Sequence, residues 1–184
     1  MRVREAVQRK ASRERDRGTR VLIAITLGTA IGVAGAAASL APSLRIPGAL
    51  RVLGVIVMWL GLVTRVWAIA ALGAAFRTTV EVDAGQAVVS TGPYKWIRHP
   101  AYAGLLLVVA GFGLAIGNWV SLGVCLVLPL PGLLRRIHVE EAELNRVLGN
   151  AYRAYQAKTA RLIPRLCEKP MSSSRTQIAL HPPQ

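Results

Sequence analysis

With 184 residues, 53% of them apolar, and a mean hydropathy of +0.41, the chain suits one membrane-embedded domain with tails and excludes an ordinary soluble or disordered protein. The formal charge of +14 would suit nucleic acid or anionic lipid, so its placement decides. Eight of the 23 Lys and Arg lie in residues 1–20 and eight more in 135–169, flanking apolar spans, which favours membrane lipids and topology over nucleic acid.

Residues 1–20 read as a basic helical segment, solvated or lying on lipid. It is similar to a secretory leader only superficially, since the apolar run behind it is too long and lacks a cleavage pattern. Residues 21–75 hold two transmembrane helices. The first begins a stretch of 24 uncharged residues, 21–44, about 36 Å as a helix against a bilayer core of roughly 30 Å. Its Gly28, Gly32 and Gly35 suit close packing in lipid. Pro42 and Pro47-Gly48 mark a turn before the second helix. That helix carries Arg51 near its start and Arg65 about 21 Å further on. Arg51 can snorkel to the headgroups, and Arg65 either does the same or marks a functional site.

Residues 76–89, with Thr78, Thr79, Val80, Val82, Val88 and Val89, read as a short β-rich loop or hairpin outside the bilayer. A turn-rich cluster, Gly92-Pro93-Tyr94 to Arg98-His99-Pro100-Ala101-Tyr102, follows at the edge of the next apolar run. Pro100 disfavours helix at His99, so a helix is predicted to start near Pro100 with its N-terminal amides facing the loop, a seat for a carboxylate. Tyr94 and Tyr102 offer rings with polar tips, suited to a heterocycle or a sulfonium.

Residues 101–134 carry no charge; one helix of that length would measure about 51 Å. Gly117-Asn118-Trp119 divides the run, predicting a helical hairpin whose second arm bends at Pro129 and Pro131. From Gly132 the pattern turns amphipathic, with Gly149 as C-cap, and Arg136 and Glu140 share a face as an i,i+4 pair. Tyr152, Tyr155 and Leu162-Ile163-Pro164 are expected to pack back on the core, and residues 167–184 to be disordered. Cys125 and Cys167 read as inert. Four spans put both termini and the 76–100 loop on one side, the cytoplasmic one by charge. The fold class is thus all-α integral membrane, with about four transmembrane helices.

Gln86-Ala87-Val88-Val89, Gly92-Pro93-Tyr94, Arg98-His99-Pro100-Ala101-Tyr102-Ala103-Gly104, Arg136 to Leu144 with Glu140-Glu141, and Arg161-Leu162-Ile163-Pro164 together resemble the isoprenylcysteine carboxyl methyltransferase family and its bacterial relatives. The resemblance covers about residues 70–166. It implies a catalytic region over 76–166 and S-adenosyl-L-methionine as cofactor, enclosed by Gln86, Ala87, Val88, Val89, Tyr94, His99, Pro100, Ala101, Tyr102 and Glu140. Arg136 matches a family arginine near the methyl acceptor, and no metal is implied. A histidine often stands at the Gln86 position in that family, a departure that touches the side-chain contact and leaves backbone contacts intact. A carboxylate acceptor needs no general base, so His99 is assigned to the cofactor rather than to proton abstraction. The acceptor is expected to be lipophilic, with no obligate protein partner, and the Ala- and Arg-rich composition points to a bacterial inner membrane. A sterol-reductase-like enzyme using NADPH, and a non-catalytic scaffold, are the alternatives.

Overall fold

The computed structural model of the chain describes residues 2–73 and 88–164, with side chains from Gly18 onward except that of Arg20. Most of the 76–89 loop, with Gln86 and Ala87, and the tail from residue 165 lie outside the described residues. Among the described residues there are six helices and no strand, only isolated bridges at Arg45–Asn118 and Ile97–Ala160.

Helix α1 (Arg2–Leu40) runs 39 residues, about 58 Å, so the basic segment and the first span are one continuous helix. A 3-10 turn at Pro42–Leu44 leads to α2 (Gly48–Leu72). A second 3-10 turn, Gly92–Lys95, precedes α3 (Pro100–Ile116), and α4 (Trp119–Val127) completes the predicted hairpin. Gly117 at φ +84° supplies the left-handed turn residue. Asn118 then caps α4, its Oδ1 accepting from the amides of Val120 at 2.9 Å and Ser121 at 3.3 Å. Its Nδ2 donates to Ala41 O at 2.8 Å, and Ile46 N donates to Gly117 O at 2.8 Å. The hairpin tip is therefore tied to the α1–α2 turn.

The chain breaks at Leu128–Pro129, then continues as α5 (Leu130–Leu148). The amphipathic helix expected from Gly132 thus starts inside the apolar run and extends the fourth crossing. Gly149, at φ +53°, ends it, its amide donating to Asn145 O, and α6 (Asn150–Lys158) follows. Val21–Leu40, Gly48–Leu72 and Trp119–Leu148 are long and apolar enough to cross a membrane. At 17 residues, roughly 25 Å, α3 is shorter, and it lies antiparallel along α2.

That pairing is close because glycines face each other. A Cβ on Gly54 would lie 2.5 Å from Ala115 N, and one on Gly104 would lie 2.7 Å from Gly61 O. Both helices space these glycines seven apart, two turns, which keeps them on one face. Arg51 donates from Nε to Ala115 O at 3.3 Å, and Arg65 from Nη1 to Ala101 O at 3.0 Å. Fourteen residues separate the two arginines (65 − 51) and also the two alanines (115 − 101). Sequence left open whether Arg65 snorkels; the structure turns it inward onto the first turn of α3. Opposite this pair, Ala34, Val109 and Cys125 pack with Leu27, Leu105, Phe112 and Ile116 where α1, α3 and α4 meet. The buried Cys125 is a core residue, as expected.

Candidate active site

Two proline-bearing turns bring the polar groups together. The 3-10 turn buries Pro93 and Tyr94, and Pro100 starts α3 with His99 as its non-helical N-cap. The amides of Tyr102 and Ala103 both donate to His99 O, at 3.1 and 3.0 Å. The expected ring of open amides at this helix start is therefore smaller than the sequence suggested, because the capping carbonyl already engages two of them. Residues 96–99 are also bound to the segment after α6. Arg98 N donates to Ala160 O at 2.8 Å, His99 N to Arg161 O at 3.1 Å, and Ala160 N to Trp96 O at 3.3 Å. Tyr155 anchors the same segment, its hydroxyl donating to Tyr94 O at 2.7 Å.

Across from this strap, α5 presents three charged side chains. Arg136 is 5% exposed, and its Nε donates to the Tyr102 hydroxyl at 3.2 Å; that hydroxyl donates onward to Glu140 Oε2 at 3.0 Å. The i,i+4 relation between Arg136 and Glu140 is thus relayed through a tyrosine from α3. Glu141, also 5% exposed, carries the densest set of contacts. Its Oε1 lies 3.0 Å from Arg98 Nε and 3.2 Å from His99 Nε2, and its Oε2 accepts from Arg161 Nη2 at 2.7 Å. Arg98 also donates from Nη1 to Gln156 O at 3.0 Å and to Thr159 O. His99 stacks on Tyr102, centroids 5.7 Å apart at 30°. Outside the spans, burial first and the Glu140 carboxylate second push the Tyr94 phenol well above its ordinary range, so it stays protonated.

Tyr94, His99, Pro100, Ala101, Tyr102, Arg136 and Glu140 thus converge on the α3–α5 junction, with Val88 and Val89 half-buried just before the 3-10 turn. Gln86 and Ala87 lie outside the described residues. The sequence reading missed the ionic cluster that Arg98 and the half-exposed Arg161 form around the buried Glu141, and Thr19 as a neighbour of Arg136. Arg98, Glu141 and Arg161 stood inside the quoted motifs, so the signal was present but not its pairing. Ile163, expected to pack inward, is 79% exposed, because the last contacts of this segment with the α3 turn are made at Ala160 and Arg161. Among the described residues, no group of three His, Cys, Asp or Glu could hold a metal ion.

The family model for the isoprenylcysteine carboxyl methyltransferase (ICMT) family matches residues 52–146, just over half the chain. The chain belongs to this family. The matched range holds α2 from Val52, the two proline turns, α3, α4 and α5 as far as Arg146, hence both sides of the junction. A Schizosaccharomyces pombe protein-S-isoprenylcysteine O-methyltransferase is 30% identical over 107 residues, covering 50% of this chain and 45% of that protein. An uncharacterized Bacillus subtilis protein, YpbQ, is 32% identical over 94 residues, covering 47% and 56%. The solved structure of the eukaryotic intramembrane Ras methyltransferase ICMT superposes with a TM-score of 0.64 at 26% identity, over 79% of this chain and 52% of that one. The chain therefore spans about half the length of the curated relatives it matches. An all-α integral-membrane architecture with the family's site motifs is the result.

Proposed function

We propose that the protein is a membrane-embedded methyltransferase that uses S-adenosyl-L-methionine and methylates a carboxylate, or another nucleophile, on a small lipophilic acceptor. One observation carries this reading: the Tyr102 hydroxyl joins Arg136 to Glu140, so both halves of the family's motif meet at one atom. The side chains suit the cofactor's chemistry. The Tyr94 and Tyr102 rings offer faces for an adenine or a sulfonium, and the half-buried Glu140 carboxylate can accept from an amino or ribose group.

When bound, S-adenosylmethionine supplies an electrophilic methyl that passes in line from sulfur to the acceptor, leaving S-adenosylhomocysteine. The chain's own part is enclosure and alignment. In this reading residues 86–89, Tyr94, the His99–Tyr102 turn and Glu140 hold the cofactor. Arg136 orients the acceptor's anion, a task its planar fork suits. His99 needs no role as a base, and its Nε2 contact with Glu141 suits a fixed ring in the pocket wall. Residues 21–75 act as the membrane scaffold and 76–166 as the catalytic region. In this reading both termini and the site face the cytoplasm, the orientation that the basic flanks favour, and the membrane is a bacterial inner membrane.

Calorimetric titration of the detergent-purified protein with S-adenosylhomocysteine and with NADPH tests the cofactor. We expect binding of the first alone, weakened at least tenfold by Glu140→Ala. Binding of NADPH alone would replace the reading with a reductase, and binding of neither with a scaffold.

A further inference from the structure

His99 stands at the N-cap of α3, yet its side chain makes no cap hydrogen bond. The backbone around it is fixed: its amide donates to Arg161 O, and its carbonyl accepts from Tyr102 and Ala103. The ring, 4% exposed, stacks on Tyr102 and meets Glu141 Oε1 through Nε2 at 3.2 Å. Glu141 is itself held, by Arg98 Nε at 3.0 Å and Arg161 Nη2 at 2.7 Å. Arg98 in turn donates to Gln156 O and Thr159 O, which ties the carboxylate's partner to the segment after α5.

A carboxylate between two guanidiniums is ionised and can only accept, so the bond from His99 needs its proton on Nε2. The two arginines already supply the counter-charge of Glu141. An uncharged ring with its proton on Nε2 carries a bare lone pair on Nδ1. Among the described residues Nδ1 has no hydrogen-bond partner, and Asn145 Oδ1 is the one buried side-chain polar atom in that state. Nδ1 is therefore open to a ligand. We propose that Glu141 is a positioning residue: by holding the His99 proton on Nε2, it leaves Nδ1 as an acceptor for an N–H or O–H donor of S-adenosylmethionine. This rests on the reading of His99 as a cofactor contact given above. It gives the histidine a definite task, reading a donor on the cofactor, that the opposite tautomer could not perform.

The test is nitrogen NMR of isotope-labelled histidine in the full chain in detergent, with His138→Gln and His181→Gln making His99 the sole histidine. S-adenosylhomocysteine is then added. Nε2 is expected to be protonated and Nδ1 bare, and the Nδ1 signal is expected to shift far more than Nε2 with the ligand. An imidazolium, a proton on Nδ1, or an Nδ1 signal that the bound ligand leaves in place would overturn the proposal while the cofactor reading stands. Absence of S-adenosylhomocysteine binding would instead remove the cofactor reading and this inference with it. Affinities give a second measure. Glu141→Gln, whose amide can turn an N–H toward Nε2, should weaken S-adenosylhomocysteine about tenfold. His99→Asn keeps an acceptor near the Nδ1 position without reaching Glu141, so in that background Glu141→Gln should cost less than about twofold. An equal loss in both backgrounds would make Glu141 a packing element and overturn the proposal. The spectrum of the chain with Glu141 intact decides even where Glu141→Gln does not fold.

Discussion

Glu141 Oε1 lies 3.2 Å from His99 Nε2, and this contact ties the turn before α3 to the helix that faces it. The same carboxylate takes Arg98 and Arg161, so one side chain holds the turn, the strap after α6 and α5 in fixed relation. Removing one partner of a buried ionic group leaves the others uncompensated, a loss of about 3–5 kcal/mol. Glu141→Ala should therefore lower the Tm sharply and release residues 159–161 to protease. Glu141→Gln, which keeps some acceptor capacity, should fall between. Equal Tm values for wild type and Glu141→Ala would show that the cluster does not hold the strap.

The glycine contacts between α2 and α3 predict a sharp contrast between sites of one residue type. A Cβ on Gly111 would lie 2.6 Å from Gly54 O, whereas one on Gly28 meets nothing within 4 Å. Gly111→Ala should destabilise by about 1–3 kcal/mol through overpacking, and Gly28→Ala by less than about 0.5. Denaturation in mixed micelles reads both, and a Gly111→Ala variant as stable as Gly28→Ala would contradict the close approach.

Asn118 caps α4 and also holds the α1–α2 turn through Ala41 O. Asn118→Ala should cost about 1–2 kcal/mol, while Asn118→Asp should keep the cap and lose the Ala41 contact. If Asn118→Asp melts with the wild type, the contribution of the Ala41 contact is nil; if it melts with Asn118→Ala, that of the cap is.

Alkaline stability follows from Tyr94. Burial, then Glu140, raises its folded-state pKa above the ordinary value of 10.0, so the folded chain holds the phenolic proton more tightly than the unfolded one. Its contribution to stability is complete below about pH 10 and is lost as pH rises beyond it. The Tm should fall more steeply between about pH 10 and 11.5 in wild type than in Tyr94→Phe. Parallel curves would place the alkaline transition elsewhere.

The hairpin was legible because an uncharged run too long for one crossing contained a Gly-Asn pair, and the chain has few other ways to bury it. The start of α3 was legible from Pro100, and the end of α5 from Gly149. The choice between Glu140 and Glu141 was not. Neighbouring helical residues point about 100° apart, and only the position of α6 and the strap shows which carboxylate is enclosed. Thr19 was hidden for a related reason: it sits in a charge run, and its partner is 117 residues away. The matched spacing of Arg51 and Arg65 with Ala115 and Ala101 was likewise invisible until α2 and α3 were set side by side.

The backbone contact of α2 with α3 also bears on how a greasy molecule could reach Arg136. Where Gly54, Gly61, Gly104 and Gly111 meet, backbone lies close against backbone, and Arg51 and Arg65 stitch the seam at both ends. The two helices are thus closed against each other along this line. An acceptor of the proposed kind would have to pass outside this seam, and α1 contacts Arg136 from outside it, through Thr19.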